Sequence, residues 1–160
     1  MRALPFRLHH LGILVRDLAE SREAFASGLG YVIESDPIDD DIQTARVQFL
    51  RLPGERHWIE LVTPQGPDSK LQAALERGVS SHHVCYEVDD LDSDAQSLRA
   101  RGFMPLGHPS PGAAFDRRPI TWLMGPANML VELVQSGPGA RSLATLDTVE
   151  EEAKQRCAIS

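Results

Sequence analysis

The sequence predicts an α+β fold of two tandem βαβββ modules, and three observations carry that prediction. The segment HHLGILVRDLAESREAFASGLGYV, from His9, lays against HHVCYEVDDLDSDAQSLRARGFMP, from His82. Each opens on two histidines, runs as a strand into an Asp-Leu turn and a helical stretch, and reaches a Gly followed by an aromatic, Gly30-Tyr31 and Gly102-Phe103. A second pair repeats in the same order: WIELVTP from Trp58 and LVELVQS from Leu130. His10 and His83 are 73 residues apart, and Glu60 and Glu132 are 72 apart. Third, strand-like and helix-like patterns alternate identically in the two halves. Two motifs recurring in one order at nearly one offset mark an internal duplication.

Each element has its own local reason. In AESREAFASGLGY the apolar positions recur at helical spacing, and Gly28 and Gly30 end the helix. VQFLRLPGERHWIELV reads as a hairpin about Pro53-Gly54. TPQGPDSKLQAALERGVSS holds a short helix and joins the modules. In LDSDAQSLRARGF the acidic first turn suits the helix dipole, arginines occupy the last turn, and Gly102 follows as a C-cap. ITWLMGPANMLVELV reads as a second hairpin, turning between Gly125 and Asn128. The expected domain covers 1–136, with module one about 7–64, a linker helix about 65–79 and module two about 80–136. Residues 137–160 are expected to form a linker and a helix at about 146–157, where Thr148 and Glu151 have capping-box spacing.

Composition bounds the function. With 160 residues, 42% hydrophobic and 24% charged, the chain is ordinary globular material for one domain. A formal net charge of −7 argues against nonspecific binding of nucleic acid or anionic membrane, although Arg117-Arg118 can oppose that sign locally. Cys85 and Cys157 lie far apart and form no framework, which suits a reducing compartment. MRALPFRLHHLGILV lacks the apolar core of a signal peptide, and no stretch approaches the about 18 apolar residues of a membrane span. A cytoplasmic protein is the expectation.

Strand side chains alternate between faces, so parity decides which groups meet. His83, Cys85 and Glu87 share one face, and the apolar Val84, Tyr86 and Val88 share the helix-covered other. His10, Gly12 and Leu14 oppose Leu11, Ile13 and Val15; Glu60 and Val62 oppose Ile59 and Leu61; Glu132 and Val134 oppose Val131 and Leu133. Every such His or Glu therefore falls on the face away from the helices. Burying those groups unpaired is costly, and a divalent cation removes the cost. His10, Glu60, His83 and Glu132 form an N2O2 set suited to one octahedral Co, Ni, Mn, Fe or Zn with two open positions.

Other residues read as structural. His82 points away from the site on strict alternation, packed or solvated, and His9, His57 and His108 carry no ligand signal. Cys85 is a small buried hydrophobe. The acidic run Asp39–Asp41 is a solvated loop, and GPGAR near the C-terminus is too weak for a phosphate loop. HPSPGAAFDRRP, 108–119, is a flap over the pocket, with Arg117 and Arg118 either meeting an anionic substrate or exposed.

With these pieces in place, the sequence resembles the vicinal oxygen chelate (glyoxalase/bleomycin resistance/dioxygenase) superfamily, and within it the methylmalonyl-CoA epimerases. HHLGILVRDL, IELVTP, SKLQAALERGVSSHHVCYEVDDLD and MLVELVQ carry the resemblance over about residues 7–136. It implies two modules paired into a half-barrel cup around one divalent metal held by His10, Glu60, His83 and Glu132. Epimerases often have Gln where this chain has Glu60. They also carry a glutamate base on the strand before IELV, where alignment places Gln48, read here as facing the cup with Val47 and Phe49 turned to the helix. An amide takes no proton.

The chemistry implied is enolate formation on a thioester or 2-oxo acid derivative, with two substrate oxygens on the metal. Glu132 then moves the proton as a ligand that loosens, Glu60 works on the opposite face, and Gln48 hydrogen-bonds the substrate. The resemblance implies a small-molecule substrate, acyl-CoA among the options, and a homodimer. Basic rim residues Arg46, Arg51, Arg117 and Arg118 are candidates to meet it. A glyoxalase-like lyase or other enolising enzyme on a specialised substrate, and a non-catalytic resistance-type small-molecule-binding protein, are the alternatives.

Overall fold

The computed structural model describes residues 6–137. The first module runs β1 (Arg7–Leu14), α1 (Leu18–Glu23), β2 (Val32–Ile33), β3 (Ile38–Asp40), β4 (Ala45–Arg51) and β5 (Trp58–Pro64). A linker carrying α2 (Gln72–Glu76) leads to the second: β6 (Ser81–Val88), α3 (Leu91–Arg99), β7 (Met104–Pro105), β8 (Ser110–Pro111), β9 (Pro119–Met124) and β10 (Leu130–Gln135). The α+β duplication is present as expected, with one refinement. The second strand of each βαβββ unit is split into two short pieces, β2 with β3 and β7 with β8.

All ten strands form one sheet in the order β2-β4-β5-β1-β6-β10-β9-β7, with β3 beside β4 and β8 beside β9. The halves of that order mirror each other about the β1–β6 seam. That seam is antiparallel, whereas β1 joins β5 and β6 joins β10 in parallel. Four central strands, β5, β1, β6 and β10, thus come from both ends of the duplication.

The repeated Asp-Leu turn is a repeated helix cap. Asp17 accepts from the Glu20 backbone N–H at 2.8 Å and Asp90 from the Ser93 N–H at 3.0 Å, each satisfying an orphan donor of the first turn. The α1 helix continues into a π-helical turn, Ala24–Gly28, before the chain turns back. Gly30 (φ +80°) and Gly102 (φ +91°), each preceding its aromatic, take the left-handed conformation that other residues resist.

Each face of the sheet has its own core. On the helix side, Leu91 and Leu98 of α3 pack with Val88, Leu123, Val131 and Leu133, and Val84, Tyr86 and Phe103 cover them. On the concave side, Leu14, Val47, Phe49, Trp58, Val62, Cys85, Phe115, Ile120 and Val134 form a second apolar cluster. Val84, Tyr86, Val131 and Leu133 lie on the side that alternation assigns them. The tail expected at 137–160, with Thr148, Glu151 and Cys157, lies outside the described residues from 138 onward. Among the described residues, no helix is long and apolar enough to cross a membrane.

Candidate metal centre

Four adjacent strands deliver one group each to the concave face: Glu60 from β5, His10 from β1, His83 from β6 and Glu132 from β10. Strand register brings them to one level. Gly12 sits opposite Glu60 and His83, while its counterpart Cys85 sits opposite Glu132 and His10. Small residues therefore occupy the centre, and the four long side chains converge above them. A Cβ added to Gly12 would come within 2.1 Å of the His83 ring, so the glycine is what lets that imidazole lie across β1.

The donor atoms meet closely. His10 Nε2 and His83 Nε2 are 2.9 Å apart. Glu60 Oε2 lies 3.4 Å from His10 Nε2 and 3.2 Å from His83 Nε2, and Glu132 Oε2 lies 3.4 and 3.5 Å from the same two atoms. With ligand distances of about 2.1 Å, neighbouring donors of a tetrahedral or octahedral centre stand about 3.0–3.4 Å apart. The set fits a divalent cation. His10, His83 and Glu132 also group as a buried potential ligand trio, with Glu60 closing the fourth side.

The electrostatics follow from that crowding. Burial opposes the charge on His83, but hydrogen bonds and charges from Glu132 and Glu60 outweigh it and push its pKa up to about 9. Burial opposes the His10 imidazolium too, and Glu60 with Glu132 again raises it. Burial alone would raise the carboxylates, yet the two imidazoles pull Glu132 down to about 2 and hold Glu60 well below the usual range. The two carboxylates thus favour the charged form of both imidazoles, against their burial.

A cavity of about 340 Å³ opens above the cluster. Its walls are largely apolar, formed by Ala45, Val47, Val62, Leu71, Phe115, Ile120, Trp122 and Leu130. Asp40, Gln43, Lys70 and His82 join Glu60, His83 and Glu132 in the polar lining.

Several sequence expectations need correction. Gln48 does not face the cup. It sits opposite Leu61 in the β4–β5 ladder, fully buried, and donates from Nε2 to the Ser35 carbonyl at 2.9 Å. Phe49 pairs with Glu60 and Val47 with Val62, so β4 offers the cup Ala45, Val47 and Phe49, none of which titrates. Counting parity within β4 without its partner's register put the wrong face inward, because cross-strand partners share a face. His82 was expected to turn away and instead lines the cavity. The β1–β6 register skips His82 between Ser81 and His83, and likewise skips His9 between Leu8 and His10. A bulge at each position lets consecutive histidines share a side.

Asp40 also leaves the solvated reading. It is buried on β3 and lines the cup, while Asp39 is exposed and paired with Arg46. Burial raises the Asp40 carboxyl. The alternation of Ile38 with Asp40 was the available signal. Within the 108–119 segment, Ala114 and Phe115 are buried and form part of the cavity wall, and Phe115 lies against His9 and His10. The proposed rim arginines are committed elsewhere. Arg46 holds Asp39, Arg51 holds Glu34 and lies over Trp58, and Arg118 donates to the carbonyls of Phe115 and Gln135. Arg117 is exposed, and Lys70 is the only lysine or arginine among the cavity-lining residues.

Comparison with known proteins converges on one group. The sequence profile of the Glyoxalase/Bleomycin resistance protein/Dioxygenase superfamily matches residues 9–121. The ethylmalonyl-CoA/methylmalonyl-CoA epimerase of Cereibacter sphaeroides is 31% identical over 119 residues, covering 73% of this chain and 87% of that protein. The crystal structure of methylmalonyl-CoA epimerase from Mycobacterium tuberculosis superposes with a TM-score of 0.75 at 27% identity, covering 86% of this chain and 93% of that one. A Streptomyces coelicolor methylmalonyl-CoA epimerase variant in complex with 2-nitronate-propionyl-CoA gives 0.70 at 26% identity, over 82% and 97% of the two chains.

Proposed function

The chain belongs to the Glyoxalase/Bleomycin resistance protein/Dioxygenase superfamily, and on that premise we propose that it is a metal-dependent epimerase forming an enolate from an acyl-CoA thioester, in the manner of methylmalonyl-CoA epimerase. The observation that carries this reading is the His10–His83 Nε2 pair, 2.9 Å apart, with a Glu60 and a Glu132 carboxylate oxygen each 3.2–3.5 Å from both nitrogens on the floor of an apolar cup. We assign His10, Glu60, His83 and Glu132 as ligands of one divalent cation, within a working unit of about residues 1–136. A cation held there would supply Lewis-acid stabilisation of the negative charge that develops on the substrate.

The remaining work falls to the protein's own side chains. Epimerisation removes a proton from the carbon beside the thioester carbonyl and returns one to the other face. β4 presents only apolar groups, and of the carboxylates that line the cup, Glu60 of β5, Glu132 of β10 and Asp40 of β3, we assign proton transfer to the two beside the histidine pair. Glu60 and Glu132 approach the His10–His83 pair from strands on opposite sides of the seam, the placement that two-faced transfer needs. The walls formed by Val47, Val62, Phe115, Ile120 and Trp122 exclude water, which strengthens every charge interaction within. Lys70 lines the cavity and donates one Nζ–H to the Ile42 carbonyl at 2.9 Å, and its remaining Nζ–H groups are the ones we assign to an anionic part of the substrate. Gln48, turned away, has no part in this chemistry.

The test is elemental analysis of protein purified without chelator, followed by deuterium exchange into methylmalonyl-CoA with and without the metal found. Metal at about one per chain together with metal-dependent exchange at the α-carbon supports the reading. Metal without exchange discards this substrate and favours a glyoxalase-like lyase on another. Failure to bind metal even after reconstitution discards the ligand assignment and leaves a binding protein.

A further inference from the structure

The two histidines that precede the ligands have a shared geometry that the reaction as described leaves unused. His9 Nδ1 stands 2.8 Å from His10 Nδ1, and His82 Nδ1 stands 2.8 Å from His83 Nδ1. Ring centroids are 5.1 and 5.0 Å apart, at interplanar angles of 81° and 85°. The same edge-on contact is thus built twice, at positions related by the internal repeat. Ordinary strand alternation would send neighbouring side chains to opposite faces. Here a bulge at His9 and another at His82 bring each pair together.

We propose that His9 and His82 are positioning residues that set the tautomer and ring angle of the two ligating histidines. This inference rests on the reading that the site holds a metal. His10 and His83 direct Nε2 at the donor cluster, so ligation there requires the proton of each ring to reside on Nδ1. That Nδ1–H then donates to Nδ1 of the preceding histidine, which accepts. His9 must in turn carry its proton on Nε2, an atom buried without a hydrogen-bond partner among the described residues. Its surroundings, the rings of Trp58 and Phe115, hold His9 in place by contact alone. Metal-bound histidines generally donate their second nitrogen to a carboxylate, carbonyl or water. In this protein a second imidazole takes that role at both ligands.

Cobalt(II) binding to the full-length protein tests this, by competition with a chromophoric chelator and by the visible ligand-field spectrum. The variants are His82→Phe, which keeps a ring and removes the acceptor, and His82→Asn, whose side-chain oxygen stands close to the place of Nδ1. His9→Phe and His9→Asn form the matching pair, and the more accessible His82 decides if the His9 variants do not fold. The metal-free melting temperature of each variant separates folding from binding. Loss of about 10–100-fold in Co2+ affinity for His82→Phe, with recovery in His82→Asn and equal melting temperatures, is the expected result. Wild-type affinity and spectrum in His82→Phe overturn the proposal. So does equal loss in His82→Asn, which assigns the effect to the ring rather than to the acceptor. If the wild-type protein itself binds no Co2+, the metal assignment has failed, a result distinct from either of these.

Discussion

Gly12 carries more of the site's geometry than any side chain it lacks would suggest. A methyl group there meets the His83 ring at 2.1–2.8 Å along three of its atoms. Gly12→Ala should therefore displace His83 and abolish stoichiometric metal binding, while far-ultraviolet circular dichroism stays that of the folded protein. Full metal content in this variant would show that the ring has another place to go. The cluster carboxylates make a second residue-level expectation: Glu132→Gln should lower α-proton exchange by at least about 100-fold, because an amide cannot move a proton. Glu60→Gln should retain more metal than activity if Glu60 serves chiefly as a base.

Protonation gives a third test at this scale, on chelator-treated protein. The folded pKa of His83, about 9, lies above its ordinary 6.5, so its contribution to stability is full below 6.5 and is lost as pH rises through about 9. Glu132, at about 2, lies below its ordinary 4.5, so its contribution is full above 4.5 and is lost as pH falls through about 2. Metal-free stability from this cluster should accordingly peak between pH 4.5 and 6.5. A thermal-melt profile that instead kept rising to pH 9 would contradict the pairing.

At the scale of single elements, β4 and the β1–β6 seam separate what can be read along a chain from what cannot. Within one strand, alternation is reliable and identified the inward faces of β5, β6 and β10. It fails at bulges, which are properties of a pair of strands. His9 and His82 sit at two such bulges, so their inward turn follows from the skipped register and not from their own neighbours. The phase of β4 is likewise set by its partner, which places Gln48 across from Leu61. Gln48→Ala should cost about 1–3 kcal/mol by leaving the Ser35 carbonyl short of a donor. Its exchange rate per folded molecule should remain that of the wild type. A large fall in kcat at unchanged stability would restore Gln48 to the cup.

For the whole molecule, the duplication acts as a device for assembling a centre from distant residues. Each module alone supplies one His and one Glu, an incomplete site, and the antiparallel β1–β6 pairing brings the two half-sites together. Metal binding should consequently stabilise the fold as a unit. At a free cation concentration 100 times Kd the gain is about 2.7 kcal/mol, which corresponds to a rise in Tm of about 5–10 °C for a chain of this size. Calorimetry with and without chelator measures it, and an unchanged Tm at saturating metal would place binding outside the folded core.

The sequence by itself determined the duplicated α+β architecture, its helix caps, and four of the groups that meet at the centre. Recurrence at one offset and alternation along a strand are local properties that a single chain displays. Tertiary structure alone decided that Val47 rather than Gln48 faces the cup, that Asp40 is enclosed, that Ala114 and Phe115 line the cavity, and that His10 and His83 each contact the histidine before them. These depend on register, bulges and packing between strands far apart in the chain, where the energy of burial and hydrogen bonding is settled between partners and not within either one.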